Sequence, residues 1–406
     1  MRIRRCTTLW LEAAELANFD LGAMLAGGTG VVTHMEWLAH SPHLHSPVQV
    51  DVAEIPLLGS LSPLDWVAAA PLRERYGATR VRRLLQAGLL IGSTKPWVMA
   101  READERFRGQ FWNGLAAVSH MNSRWEGVDA AREVEEAGLQ TAEDLRQSYG
   151  IPPPAHCERA AHSAVVKLEA TRRGSLDDLL DARATCRNFD TTRSMPLAQL
   201  SSVLERTFGM RGEVQGAEDF DVMKRTSPSG GALHPTECYL IIRRVEGLPD
   251  GIYHYQPKSH TLLPLPYDQQ QVVVVDSESH GAAPKEALDR LAWIAVGGQS
   301  WFAEAPVLCV LAPRYVRSFW KYRNHAKAYR VCILDVGHLS QTLQLCATHE
   351  GLGSFVTAAI NEVDIERAFG LLGYVDGPLA VCGFGPRANE MQTYELDPNR
   401  KIWPRT

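Results

Sequence analysis

Apolar residues along this chain follow two rhythms, a helical one in the first third and a strand-like one later. Val81, Leu84 and Leu85 share one face of a predicted helix over Thr79 to Gly88, with the glycine as its stop. Ser62 and Pro63 have the character of a cap and a first-turn proline, so a further helix is expected to begin near Leu61. Leu89-Leu90-Ile91 reads as a short strand. Two helices followed by that strand predict a winged-helix-like module over residues 1–95. Residues 96–150 read as mostly helical, with tryptophans at 97, 112 and 125, and Pro152-Pro153-Pro154 breaks the run as a semi-rigid connector. The expected division is thus 1–95, a helical connector over 96–165, and a larger domain over 166–406.

The larger domain reads as α+β. Helices are predicted over Ser175 to Ala182 and Pro196 to Phe208, the second with Leu197, Leu200, Val203 and Leu204 inward. Strands are predicted over Glu237–Arg243, Gly251–Tyr255, Pro306–Ala312 and Leu379–Gly383. The unbroken apolar run through Pro306–Ala312 marks a strand covered on both faces. A long helix over Ile333 to His349 is expected to form the centre of the domain.

Composition narrows the function classes. Apolar residues make up 45% and charged residues 22% of the 406, as in ordinary globular proteins. A net charge of −5 gives no reason to expect nucleic-acid binding, although Arg80, Arg82 and Arg83 keep DNA as a minor alternative for the first module. Glu12 and Glu15 interrupt any signal core after Arg2, Arg4 and Arg5, and no stretch of about 18 apolar residues exists. A cytoplasmic protein with no membrane contact is expected. The eight cysteines are dispersed without a C-x-x-C pair, and the histidines lack ligand spacing, so no metal site is expected. Cys238, Cys309 and Cys382 sit in apolar runs and read as small buried hydrophobes. Gly27-Gly28-Thr29-Gly30 lacks the spacing of a dinucleotide loop.

Two segments carry candidate chemistry. In Arg183-Ala184-Thr185-Cys186-Arg187-Asn188-Phe189, two guanidiniums at i and i+4 flank a hydroxyl and can converge on a phosphate. About forty residues later, Pro228-Ser229-Gly230-Gly231 forms a small-residue loop that runs through His234-Pro235 into a strand. Glycines there let a flat ligand lie against the backbone, and Ser229 adds a hydroxyl.

Together these segments resemble the FMN-dependent nitroreductase superfamily, and in particular its SagB-type branch, which dehydrogenates azolines in ribosomally made peptides. The resemblance covers roughly residues 175 to 390. It implies a mixed sheet wrapped by helices, an obligate homodimer, and FMN at the dimer interface. By the resemblance Arg183, Ala184, Thr185 and Arg187 hold the flavin phosphate and ribityl end. Arg387, in Gly383-Phe-Gly-Pro-Arg387, completes that site, and Pro228, Ser229, Gly230 and Gly231 cover the ring from the partner subunit. Ala358-Ala359 stands where the family often has Gly-Gly facing flavin N5; alanine keeps the N–H but restricts φ.

Lys321-Tyr322 matches the Lys-Tyr dipeptide that the branch places beside the flavin for proton abstraction. Oxidising an azoline to an azole removes a proton from Cα and a hydride from Cβ, so the reaction needs a base besides the flavin. Desolvation and like charge favour a neutral, basic lysine amine; Arg317 and Arg323 are the cations near it in sequence. The expected function is azoline oxidation in a modified precursor peptide, with a cyclodehydratase or other maturation enzyme as partner. An NAD(P)H-driven reductase of dehydroamino acids, quinones or nitro groups is the alternative enzyme, and a leader-peptide-binding scaffold the non-enzymatic one.

Overall fold

The protein is described by a computed structural model covering residues 1–157, 165–171, 173–266, 286–398 and 400–403. The last part of the expected connector, residues 158–164, lies outside the described residues. The chain packs as two compact units. One gathers Met1–Arg124, Arg314–Cys332 and Leu372–Asp376; the other gathers Trp125–Pro313, Ile333–Leu371 and Gly377–Thr406.

In the first unit, β1 (Arg2–Arg5) is the middle strand of a small sheet. β5 (Val67–Ala68) and β6 (Leu90–Gly92) flank it, both antiparallel. A second sheet is a long hairpin, β2 (Trp10–Phe19) and β3 (Val31–His40), extended by β4 (Val48–Val50). The glycines at 27–30 belong to that hairpin's tip, where Gly30 adopts φ +74° and its carbonyl accepts the N–H of Asp20.

The helix Ala78–Gln86 buries Val81, Leu84 and Leu85 as its periodicity requires. The helix expected near Leu61 instead begins at Ala69, because Ser62 Oγ accepts the N–H groups of Leu64 and Asp65 and closes a single turn. Arg4, one of the N-terminal arginines, is fully buried, with Nη1 2.6 Å from Asp104 Oδ2.

The second unit is built on a six-stranded sheet. Its order is β11 (Thr261–Pro264), β10 (Gly251–Gln256), β9 (Thr236–Ile242), β12 (Val307–Pro313), β14 (Ala380–Gly385), β13 (Gly353–Thr357). These ladders are antiparallel; parallel pairing enters through isolated bridges such as Thr185 with Ser354. A separate hairpin, β7 (Gly212–Ala217) with β8 (Phe220–Lys224), precedes β9 and had no clear signature in the sequence.

Side chains of β12 alternate between two cores. Leu308, Val310 and Ala312 pack with Leu291 to Val296, Ile365 and Phe369 on one face of the sheet. Val307, Cys309 and Leu311 pack on the other, with Leu200, Val203, Leu204, Leu339 and Leu343. Helices therefore cover both faces, which is why that strand is apolar throughout. Cys238, Cys309 and Cys382 are buried in the core on that second face. Leu197, expected inward, is exposed, since it opens the helix Leu197–Phe208 before the apolar face turns to the sheet.

Asn361 ties the entry of this unit to its sheet layer. It is fully buried and immediately precedes the helix Glu362–Phe369, without its side chain bonding that helix's first turn. Its Nδ2 donates to Val128 O and Ile294 O, and its Oδ1 accepts from Val128 N, all at 2.8 Å. Glu362 and Asp364 accept the N–H groups of Trp125 and Gly127, also at 2.8 Å. Asn361→Ala leaves both the N–H and the C=O of Val128 unsatisfied and is expected to lower stability by about 2–4 kcal/mol. Denaturant unfolding checks this, with proteolysis rising near residues 125–136; an unchanged midpoint would refute it.

Candidate active site

The Arg183–Phe189 segment leaves the helix Ser175–Ala182 and lies along the edge strand β13. Cys186 N donates to Ser354 O at 2.8 Å beside the Thr185–Ser354 bridge. The approach is close because residue 353 is glycine: an added Cβ would meet Cys186 Sγ at 2.4 Å and Arg387 Cγ at 2.9 Å. On the far side, Phe189 pairs with Arg387. Arg183, Thr185, Arg187 and Arg387 are thereby gathered at one sheet edge.

Glu395, which no motif marks, fixes this cluster. Its side chain is wholly buried, and Oε2 accepts from Arg387 Nη1 at 2.6 Å and from Trp403 Nε1 at 2.9 Å. Its Oε1 accepts the backbone N–H of Arg187 at 2.6 Å and Asn188 Nδ2 at 2.9 Å. Burial pushes the carboxyl's pKa up, but Arg387, the Arg187 N–H, Asn188 and Trp403 together hold it below its ordinary value. Arg387 therefore faces a counter-charge inside the fold, whereas Arg183 and Arg187 form no ion pair among the described residues. Arg183 Nη1 lies 3.4 Å from Gln344 Oε1, and Arg187 Nη1 3.4 Å from Tyr394 O. Arg187 also lines a cavity of about 240 Å³, where Glu304 and Glu390 make the lining mixed in charge.

The Ser229 loop is anchored elsewhere on the unit. Ser229 Oγ donates to Asp335 Oδ2 at 2.5 Å and accepts the His234 N–H at 2.9 Å; Gly230 N donates to Asp335 Oδ1 at 3.2 Å. Asp335 and Gln344 both sit on the helix Ala328–His349. Burial pushes the Asp335 carboxyl up, partly offset by Ser229 and Gly230. Gly231 (φ +65°), Ala232 (φ +55°) and His234 (φ +44°) give the loop its left-handed turns. Pro228 is exposed. Ala358 is also exposed; the Ala359 N–H donates to Thr357 Oγ1 at 3.1 Å, and Ala359 O accepts from Gln299 Nε2 at 3.3 Å.

Lys321 and Tyr322 lie in the first unit, on a turn after the helix Tyr315–Phe319. The apolar enclosure expected for Lys321 is not found: the residue is exposed, with Nζ 5.6 Å from the Tyr322 ring centroid. The turn's backbone is nevertheless clamped. Asn324 N donates to Phe111 O at 2.9 Å, Asn113 Nδ2 reaches Asn324 O at 3.3 Å, and Arg323 lies 4.2 Å over the Phe111 ring. Phe111 (φ +57°) and Asn324 (φ +55°) are both left-handed. Trp112 packs against Phe319 and Tyr329 on either side of the turn. His120, whose pKa burial lowers to about 4, bonds Tyr329 Oη and Gly373 O while neutral.

Residues 180–385, just over half the chain, match the Nitroreductase family. The chain belongs to the nitroreductase family. It is accordingly an oxidoreductase, of a family that typically uses a flavin. It is 28% identical over 199 residues to the protein named as nitroreductase MJ1384 of Methanocaldococcus jannaschii, covering 49% of this chain and 86% of that one. It is 25% identical over 231 residues to the microcin B17-processing protein McbC of Escherichia coli, covering 56% and 74%. Among solved structures, a chain of the E. coli microcin synthetase McbBCD complex with truncated pro-MccB17 superimposes with a TM-score of 0.45 and 21% identity, over 73% of this chain and 95% of that one.

The residues gathered at the β13 edge fit a flavin nucleotide. Two cations without ion-pair partners flank the Thr185 hydroxyl, and the neighbouring Ser354 Oγ is buried without a hydrogen bond. Because the Glu395 carboxylate is held below its ordinary pKa, its stabilising effect is complete above the unfolded value near 4.5 and is lost as pH falls through the lower folded value. Glu395→Gln is therefore expected to destabilise the unit at pH 7 by about 3 kcal/mol and to flatten the acid limb of its stability curve. Chemical denaturation from pH 7 down to pH 3 checks this; an acid limb identical to wild type would sink the assignment.

Proposed function

We propose that the protein is an FMN-dependent dehydrogenase that oxidises azoline rings to azoles in a ribosomally made, modified peptide, acting as a cytoplasmic homodimer. The observation that carries the reading is the pair of guanidiniums without an ion-pair partner among the described residues, Arg183 and Arg187, around Thr185 and the orphaned Ser354 hydroxyl. The likeness to a microcin B17-processing protein points to a peptide rather than a free nitro compound. Exposed Leu176 and Leu180, four residues apart, and Ile333 with Leu334 on the long helix offer apolar surface to a second copy.

In this reading Arg183 and Arg187 hold the phosphate, Thr185 and Ser354 hold ribityl hydroxyls, and the Ala358 N–H faces the ring near N5. The bound flavin supplies the acceptor for the hydride leaving Cβ. Lys321 Nζ takes the Cα proton, and Tyr322 orients the peptide or relays that proton. The long lysine stem on a fixed turn gives the amine reach with little backbone freedom. A cyclodehydration of cysteine, serine or threonine residues must supply the substrate, and a maturation partner of that class is expected.

FMN-loaded protein mixed with an azoline-bearing peptide should yield a product lighter by two hydrogens, about 2 Da. Lys321→Ala should slow this at least about 10²-fold while leaving flavin absorbance unchanged. Equal rates would reject Lys321 as the base, and rapid flavin bleaching by NADPH without peptide would favour the reductase alternative. Arg183→Ala with Arg187→Ala should abolish FMN retention on gel filtration; a variant that stays yellow would remove the phosphate assignment.

A further inference from the structure

A cavity of about 900 Å³ in the second unit is not used by the flavin contacts above. That volume suits a peptide residue or two rather than an ion. Ala359 forms part of its wall, so it adjoins the segment assigned to the flavin ring. Trp293 and Trp301 give it indole surfaces, and Trp301 Nε1 is a buried donor without an acceptor. Gln299 has the complementary group. Its Nε2 is occupied by Val296 O at 2.7 Å, Thr357 Oγ1 at 3.2 Å and Ala359 O at 3.3 Å, while its carbonyl oxygen accepts no bond among the described residues.

One donor and one acceptor beside flat apolar walls match the C=O and N–H of a peptide unit next to a five-membered ring. The remaining side is the helix Ala130–Glu136 with its cap. There Asp129, Glu135 and Glu136 face the cavity with a single cation, Arg132, which Glu136 already binds at 2.7 Å. Glu135 is exposed at this rim and in no ion pair among the described residues.

We propose that this cavity is a subsite for the residues flanking the reacting heterocycle, and that it selects a peptide carrying lysine or arginine there. The inference deepens the peptide-oxidase reading and rests on it. Trp301 and Gln299 fix the peptide backbone, the indoles stack on the ring or its neighbour, and Glu135 reads the positive charge.

The test uses full-length FMN-loaded protein and two fluorescein-labelled hexapeptides with a central thiazole, one with lysine on both sides of the ring and one with glutamate. Fluorescence anisotropy should show the lysine peptide binding about fivefold more tightly, the difference shrinking in 0.5 M salt. Glu135→Lys should reverse the preference, and Trp301→Phe should weaken both peptides alike. Equal affinities in wild type, or a preference untouched by Glu135→Lys, overturn the proposal. Charge-selective binding without oxidation of the matching thiazoline peptide would sink the dehydrogenase reading alone, and oxidation without selectivity would sink the subsite alone.

Discussion

The seam between the Arg183–Phe189 segment and β13 is the constraint on which the candidate site depends. A single backbone bond, Cys186 N to Ser354 O, sets its register, and Gly353 sets its distance. Glu395 then ties both ends, through the Arg187 N–H and the Arg387 guanidinium. A buried carboxylate costs several kcal/mol of desolvation unless several donors meet it. Here five do, which turns a costly group into a fixed point for the cationic cluster.

Glu395 also separates the arginines into two kinds. Arg387 is neutralised within the fold, so it positions rather than attracts. Arg183 and Arg187 keep their charge available to a ligand, and the same pairing that removes Arg387 from that role holds Arg187's backbone in place. A sheet edge with one internal ion pair and two open cations can form without ligand and still favour an anion strongly.

Much of the second unit was legible in the sequence because its strands are covered on both faces, and a seven-residue apolar run has few alternatives. The positions of β9, β10, β12 and β14 follow within a residue or two, and the long helix ends at His349 as expected but begins at Ala328 rather than Ile333. The β2–β3 hairpin was not legible: most of its residues are exposed on both faces, so no alternation of period two is written into it. A linear reading also has no means of seeing residues 314–332 and 372–376 return to pack with residues 1–124. In the site, Arg183, Thr185 and Arg187 stood out as a spaced motif. Glu395 did not, because a lone carboxylate in a polar tail looks the same whether it is solvated or buried.

Lys321 shows where residue chemistry and residue environment part. The dipeptide is recognisable, yet the lysine is exposed, and what the fold invests in is the backbone beneath it. Two non-glycine residues, Phe111 and Asn324, accept left-handed conformations that cost on the order of 1 kcal/mol each, and they bond to one another across the turn. Trp112 and the neutral His120 hold the aromatic residues before and after it. Strain of this kind persists only where surrounding contacts over-determine it, so the turn's shape is specified while its side chain is left in water. An amine carried on such a turn has its backbone fixed by the protein, and water leaves it only when another surface covers the turn.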